Sequence, residues 1–214
     1  MNPFALRGSD GRELIDLTRA RIIGGGDATK RVPLILRLAS PSHARARMIA
    51  SAVNARFPQD PGIRDDVARG ESDEMISIAV PPRWSQDTTT FAQLLRHTTI
   101  QQARQEASAA LVAREVQRNP RMALDAAWRW RAMGPKALAT TRGLYDAPER
   151  RVREAALKAG AWLDDPLVLP HLEVFAESED PELRRLAAVL MAELPWDPSL
   201  EFALTKLVDD AELD

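Results

Sequence analysis

Three glycines and a lysine in "RIIGGGDATKRVPLILRL" (residues 21–38) are the first candidates for chemistry, because glycine-rich loops bind phosphate groups. A phosphate-binding loop leads from a strand through the glycines into a helix, whose N-terminal N–H groups point at the anion. Here the glycines at 24–26 lie between two apolar runs, and Arg31 follows Lys30 where a Walker loop has Ser or Thr. Glycine also supplies the positive φ angles of tight turns. The pattern therefore predicts a hairpin turn and no nucleotide cofactor.

The remaining reactive residue types form no recognisable site. His43, His97 and His171 are too scattered for a metal set, and none has a histidine or carboxylate partner at i+4. The chain has no cysteine, which excludes disulfides, thiolate metal sites and a thiol nucleophile. Adjacent aspartates such as Asp164-Asp165 fall at predicted helix ends, where capping explains them. There is no serine elbow, kinase-like set or HExxH motif, so we expect no enzyme, no metal and no cofactor.

Aromatic and basic residues alternate in Trp-Arg-Trp-Arg at 128–131, a composition that can stack on nucleotides. On a helix, Trp128 and Trp130 point about 200° apart, so a single face holds at most one of them. We therefore expect a buried tryptophan beside solvated arginines, and no nucleic-acid partner.

Charge is unevenly distributed along the chain, although the formal net charge is only −2. Residues 98–163 hold 12 Lys and Arg against 6 Asp and Glu, whereas residues 164–214 hold 3 against 14. Opposite blocks of this kind can attract copies of the chain or a charged partner, and the alternative is two solvated helix faces. The residues predicted to bind protein are Arg129, Arg131, Arg150 and Arg151 on the basic side, and Asp180, Glu182, Asp209 and Asp210 on the acidic side.

Residues 1–97 have the pattern of a small α/β domain. Apolar runs predict strands at residues 13–25, 32–38 and 74–82, and the second of these favours a buried strand. We expect residues 13–82 to form one antiparallel or mixed sheet. A short helix is predicted at 88–97.

A longer helix is predicted over residues 41–57. Ser40 is the expected N-cap and Pro41 the first helical residue, where a missing N–H costs nothing. The helix has one apolar face at three- and four-residue spacing, formed by Ala46, Ile49, Ala50, Val53 and Phe57. We expect this face to cover the sheet.

From about residue 99 onward, alanine and leucine recur at helical spacing and no strand is predicted. Helices are expected at 99–118, 120–133, 135–145, 148–163, 166–177, 181–194 and 198–209. We place a domain boundary near residue 97, which gives domains 1–97 and 98–214. The expected fold class is α+β, with a small α/β module (a hairpin and a strand–helix–strand unit) followed by an all-α solenoid.

Part of the helical half repeats at a period of 31 residues. Residues 135–160 align with 166–191, and in this alignment Arg153 matches Arg184. A helix pair cannot bury its apolar stripe alone, so repeated pairs are expected to stack.

The stretch "DPELRRLAA" (residues 180–188) is similar to the Asp-Pro-x-x-Arg-x-x-Ala-Ala pattern of HEAT-like repeats. The resemblance extends over about residues 99–209. It implies a HEAT-like solenoid that offers an extended face to partner proteins.

The first half resembles the flagellar basal-body P-ring proteins over about residues 12–97. In that family a strand ending in Leu-Arg-Leu leads to a Ser/Asn-Pro helix start, and a later strand closed by Val-Pro precedes a Phe-led helix. The matching positions are Leu36, Arg37, Leu38, Ser40, Pro41, Ala46, Ile49, Ala50, Asn54, Phe57, Val80, Pro81, Phe91 and Leu94. The resemblance implies a structural role in the periplasm, with ring or rod components or copies of the chain as partners.

The chain also departs from the P-ring pattern. P-ring proteins continue into further β structure and carry a signal peptide, whereas here helices follow and the first residues lack a basic-then-apolar build. The alternative is therefore a general cytoplasmic HEAT-repeat scaffold or adaptor unrelated to flagella. No apolar run approaches the roughly 20 residues that span a bilayer, so no membrane span is expected.

Overall fold

The computed structural model describes residues 5–7, 13–15, 33–60, 62–100 and 104–208. The chain divides into two compact units, Met1–Pro33 and Leu34–Asp214. In the first unit, strand β1 (Ala5–Arg7) pairs with β2 (Glu13–Ile15) in antiparallel orientation. The predicted glycine turn at 24–26 lies outside the described residues.

The second unit begins with a three-stranded antiparallel sheet in the order β3-β5-β4. Its strands are β3 (Leu34–Arg37), β4 (Ala68–Gly70) and β5 (Met75–Ile78). The prediction of one sheet over 13–82 is wrong, because β2 forms its sheet with β1. The apolar run at residues 32–38 was predicted to form a buried strand, and this is also wrong. Strand β3 lies at the edge of the sheet, and its Leu34 and Ile35 are 41% and 57% exposed.

Two helices pack on this sheet, α1 (His43–Arg56) and α2 (Thr88–Arg96). The N-cap of α1 is Ser42 and not Ser40, because the Ser42 hydroxyl accepts a hydrogen bond from the Arg45 N–H at 3.3 Å. The apolar face of α1 is confirmed, with Ile49 only partly buried. The core that joins this face to the sheet and α2 contains Ala46, Ala50, Val53, Phe57, Val67, Ala68, Ile76, Ile78, Phe91 and Leu94.

The helical half follows the sequence prediction closely. Its α-helices are α3 (Gln105–Arg118), α4 (Ala123–Met133), α5 (Leu138–Arg142), α6 (Arg150–Ala161), α7 (Leu169–Ala176), α8 (Pro181–Glu193) and α9 (Pro198–Val208). No strand occurs among residues 104–208. Five helices begin later than predicted. Helices α4, α5 and α7 do so because a proline-containing 3-10 turn precedes each of them, at Pro120–Met122, Gly134–Ala137 and Pro166–Val168. The other two are α3, which begins at Gln105, and α6, which begins at Arg150.

These helices pack as successive pairs. Helix α3 packs on α4, α5 on α6, and α7 on α8. The second members also contact one another in order, α4 with α6 and α6 with α8, and a single buried core runs through the group. The protein is thus a mostly helical α+β fold with a small antiparallel sheet.

The sheet and the helices belong to the same compact unit. Helix α2 packs on α4, and Ala132 of α4 is buried in the core below the sheet. From α1, the Arg56 guanidinium donates to the carbonyls of Ala132 at 2.7 Å and Arg131 at 3.3 Å. These carbonyls lie in the last turn of α4, where the Arg131 carbonyl also accepts from the Gly134 N–H that caps the helix. The domain boundary near residue 97 falls inside this unit and stays a prediction.

Candidate protein-binding surface

The residues predicted to bind protein lie mainly on α4, α6 and α8. Helix α4 carries Arg129 and Arg131, α6 carries Arg150 and Arg151, and the start of α8 carries Asp180 and Glu182. Asp209 and Asp210 lie outside the described residues.

Arg150 and Asp180, chosen from the sequence as opposite ends of a binding interaction, bind each other. The Arg150 Nη1 donates to Asp180 Oδ2 at 2.6 Å, and its Nε donates to Glu154 Oε1 at 2.6 Å. Asp180 also caps α8 by accepting from the Glu182 N–H at 2.9 Å, and this bond is the main cause of its lowered pKa. The pair therefore ties α6 to the start of α8.

The two α4 arginines are also engaged within the chain. Arg129 Nη1 donates to Glu115 Oε2 of α3 at 2.5 Å. The Arg131 guanidinium lies 5.2 Å from the Trp128 ring centroid and 4.6 Å from that of Trp162. Burial lowers the pKa of Arg131, although the group remains charged at any physiological pH.

The Trp-Arg-Trp-Arg prediction is confirmed in its first part only. Trp130 is fully buried, and its Nε1 donates to the Ala109 carbonyl at 3.2 Å. Trp128 lies elsewhere on α4 and packs on Trp162, with ring centroids 4.5 Å apart. Arg131 is half-buried beside these two rings, so the prediction that it is solvated is wrong.

The 31-residue period of the sequence corresponds to a repeated contact. Arg153 Nη1 donates to the carbonyl of Ala147 at 3.0 Å, and Arg184 Nη1 donates to that of Ser178 at 2.8 Å. Both arginines thus bond the carbonyl six residues earlier, where the chain enters α6 or α8. The same side-chain contact therefore stabilises the start of the second helix in each of the two repeats.

Asp165 is the centre of a buried network that sequence reasoning missed. The carboxylate is 1% exposed and accepts two bonds of 2.9 Å from Arg142 and one of 2.7 Å from the Tyr145 hydroxyl. It also caps the turn Pro166–Val168 through the Leu167 N–H at 3.3 Å. The only sequence signal was an aspartate before a proline, which indicates capping but not burial.

Arg151, the last of the predicted basic residues, lines a groove of about 220 Å³. We call it the α4–α6–α8 groove; its lining is Ala123, Leu124, Ala127, Arg151, Glu154, Ala155, Lys158 and Leu186. Leu124 in this lining is 59% exposed. Val189, three residues after Leu186 on α8, is 56% exposed. No described residue forms a salt bridge with Arg151 or Lys158.

A larger apolar groove of about 480 Å³ lies beside the edge strand β3. Leu34, Leu36, Ile49, Leu95 and Ile100 contribute to its walls. The sequence did not indicate this groove, because an apolar run looks the same in an edge strand and in a buried one.

Two histidines have carboxylate partners that are distant in sequence. His97 Nε2 lies 3.0 Å from Asp125 Oδ1, and His171 Nδ1 lies 3.1 Å from Asp146 Oδ1. Within the described part of the chain, no three or more His, Asp or Glu side chains come together as a metal site would require. None of its helices combines the length and the apolar character needed to cross a bilayer.

Comparison with models of protein families, with curated proteins and with solved structures finds no match.

Proposed function

We propose that the chain is a non-enzymatic assembly protein of the flagellar basal-body P-ring type, whose helical half binds a protein partner. The α4–α6–α8 groove carries the part of this proposal that concerns binding of a partner. Its floor is apolar, formed by Ala127 and Ala155, while Arg151 and Lys158 lie at its walls without an anionic partner among the described residues. The carboxylate of Glu154 also lines the groove and is paired with Arg150. A groove of this composition suits a partner that presents apolar side chains together with carboxylates.

The proposal includes a HEAT-like solenoid for the helical half. Three observations support it: the period of 31 residues, the matching bonds of Arg153 and Arg184, and the serial contacts of α4, α6 and α8. In such a stack each pair buries its apolar stripe against the next, and the exposed helix faces line up as one surface.

The P-ring part of the proposal rests on the residues that carry the sequence resemblance. Asn54 pairs with the backbone of Ala68 through its side-chain amide, at 2.9 and 2.7 Å, and so anchors β4 to α1. Phe57 and Phe91 pack edge to face in the core, with ring centroids 5.0 Å apart. The shared positions thus include those that hold the strand–helix–strand unit and α2 together. In this proposal the chain acts in the periplasm.

A general cytoplasmic scaffold is the second candidate, and one observation favours it. All residues that line the α4–α6–α8 groove belong to the helical half. A binding role for these helices therefore does not require the first 97 residues to act as a ring component.

Isolation of flagellar basal bodies from the organism that encodes the chain tests the proposal. We expect the chain to remain with the basal bodies through purification, as measured by quantitative mass spectrometry. The Lys158→Glu variant should be reduced several-fold in this fraction, since it places a like charge where the partner's carboxylates dock.

Lys136→Glu is the matched control, because it makes the same charge change at an exposed lysine outside the groove. It should remain with the basal bodies at the wild-type level. Recovery of the chain only in complexes that lack ring proteins would contradict the P-ring role and favour the scaffold.

A further inference from the structure

A stripe of exposed arginines runs along the solvent side of α3. Arg104, Arg114 and Arg118 are exposed, and Leu111 among them is 55% exposed. Their spacing places all four on one face of the helix. The opposite face carries the buried residues Ala109, Val112 and Val116. No described residue forms a salt bridge with these three arginines, which we call the arginine stripe.

A surface of negative charge, opposite to that of the arginine stripe, surrounds the turn between α8 and α9. Trp196 in this turn is 73% exposed, and Glu193, Asp197 and Glu201 around it are exposed as well. Asp197 accepts a hydrogen bond from the Ser199 side chain and one of 2.9 Å from its N–H, and these bonds lower its pKa. Among the described residues none forms a salt bridge with these carboxylates. We call this surface the Trp196 turn.

The two surfaces lie at opposite ends of the series of packed helices. Helix α3 packs on α4 and α5, whereas α9 packs on α7 and α8. Their opposite charges therefore point to an interaction between two molecules.

We propose that the Trp196 turn of one chain docks on the arginine stripe of a second copy, head to tail. Tryptophan and arginine are the residue types that most often dominate binding energy at interfaces, and an arginine over an indole ring adds a cation–π attraction. Leu111 supplies the apolar contact for the indole, and three carboxylates face three guanidinium groups. A head-to-tail contact of this kind repeats from copy to copy, so it builds a ring or an open filament.

This inference rests on the proposed role in assembly but uses different residues. It involves neither the α4–α6–α8 groove nor the part of the chain that resembles P-ring proteins. The second copy is favoured over an unrelated basic or acidic protein because one chain presents both halves of the contact.

Light scattering on the purified full chain, across a concentration and salt series, tests the proposal. We expect the mass to exceed that of one chain at low salt and to fall as salt screens the exposed charges. Trp196→Ala should weaken the association by at least about tenfold.

A charge exchange tests the pairing itself. In the Arg114→Glu/Arg118→Glu variant both surfaces are acidic, and in the Glu193→Arg/Glu201→Arg variant both are basic, so each variant alone should remain monomeric. When the two variants are mixed they should associate, because the acidic Trp196 turn of the first can dock on the intact arginine stripe of the second. Glu173→Arg/Glu179→Arg, which reverses two exposed carboxylates elsewhere, should associate as the wild type does.

A wild-type chain that is monomeric at every concentration and salt would overturn the inference, as would association indifferent to Trp196→Ala and to the exchange. A monomeric chain that still co-isolates with basal bodies would overturn only this inference. Self-association without basal-body recovery would contradict only the proposed function.

Discussion

Replacing Asp165 by alanine is expected to lower the free energy of unfolding by about 2–4 kcal/mol, because the Tyr145 hydroxyl loses its buried acceptor and a turn loses its cap. Chemical denaturation followed by circular dichroism measures the change. Asp66→Ala is the control, since Asp66 is exposed and its replacement should change stability by less than about 0.5 kcal/mol. Equal effects of the two substitutions would contradict the role assigned to the Asp165 network.

The same carboxylate makes stability depend on pH. Burial alone would raise the pKa of Asp165, but hydrogen bonds from Arg142 and Tyr145 outweigh it and hold the pKa below its ordinary value. A carboxyl whose pKa is lower in the folded state contributes stability that is complete above about pH 4 to 5 and is lost as the pH falls through the folded pKa. Between about pH 5 and pH 3, Asp165→Asn should therefore lose less stability than the wild type. Parallel curves would show that the carboxylate is not stabilised by folding.

Replacing Gly160 by alanine is expected to cost about 3 kcal/mol of unfolding free energy, because the added methyl group has no space. Its Cβ would overlap the Tyr145 hydroxyl and lie 2.5 Å from Val168 Cγ2 and 2.8 Å from Tyr145 Cζ. Since Tyr145 and Val168 are both buried, neither can move aside cheaply. Thermal and chemical unfolding measure the loss.

Gly143→Ala is the matched control for this substitution, since its Cβ would meet its nearest neighbour at an ordinary 3.5 Å. We expect it to change stability by less than about 1 kcal/mol. In a Tyr145→Phe background the hydroxyl that causes the closest overlap is gone, so Gly160→Ala should cost less there. Equal costs in both backgrounds would show that Gly160 does not make room for Tyr145.

The helices of residues 104–208 could be predicted because their apolar residues recur at helical spacing. The first residues of these helices were predicted less accurately, because Pro120 and Pro166 each begin a 3-10 turn that precedes the α-helix. The strand at Leu34–Arg37 was predicted, but its exposure was not. Whether a strand lies at the edge or in the centre of its sheet depends on which strands pair, and the apolar run at residues 32–38 does not contain that information.

The blocks of positive and negative charge were visible in the sequence, but the pairing of individual charged side chains within the chain was not. Arg150 and Asp180 are 30 residues apart and bind each other, and Arg129 meets Glu115 across 14 residues. A block of net charge does not show which side chains are neutralised within the chain. Arg151 was the one predicted arginine found in the groove, whereas the arginine stripe on α3 was not singled out at all.

Site-specific photo-cross-linking at position 124 tests the central claim, which is that the α4–α6–α8 groove binds a protein. Leu124 lines the groove at 59% exposure, and Leu167, outside it at 53%, serves as the control position. With a photoreactive residue at each position in cells of the source organism, we predict a discrete cross-linked partner from position 124 only. We also expect Arg151→Glu to reduce it several-fold. Absence of a cross-link from position 124, or equal cross-linking from both positions, would contradict the account.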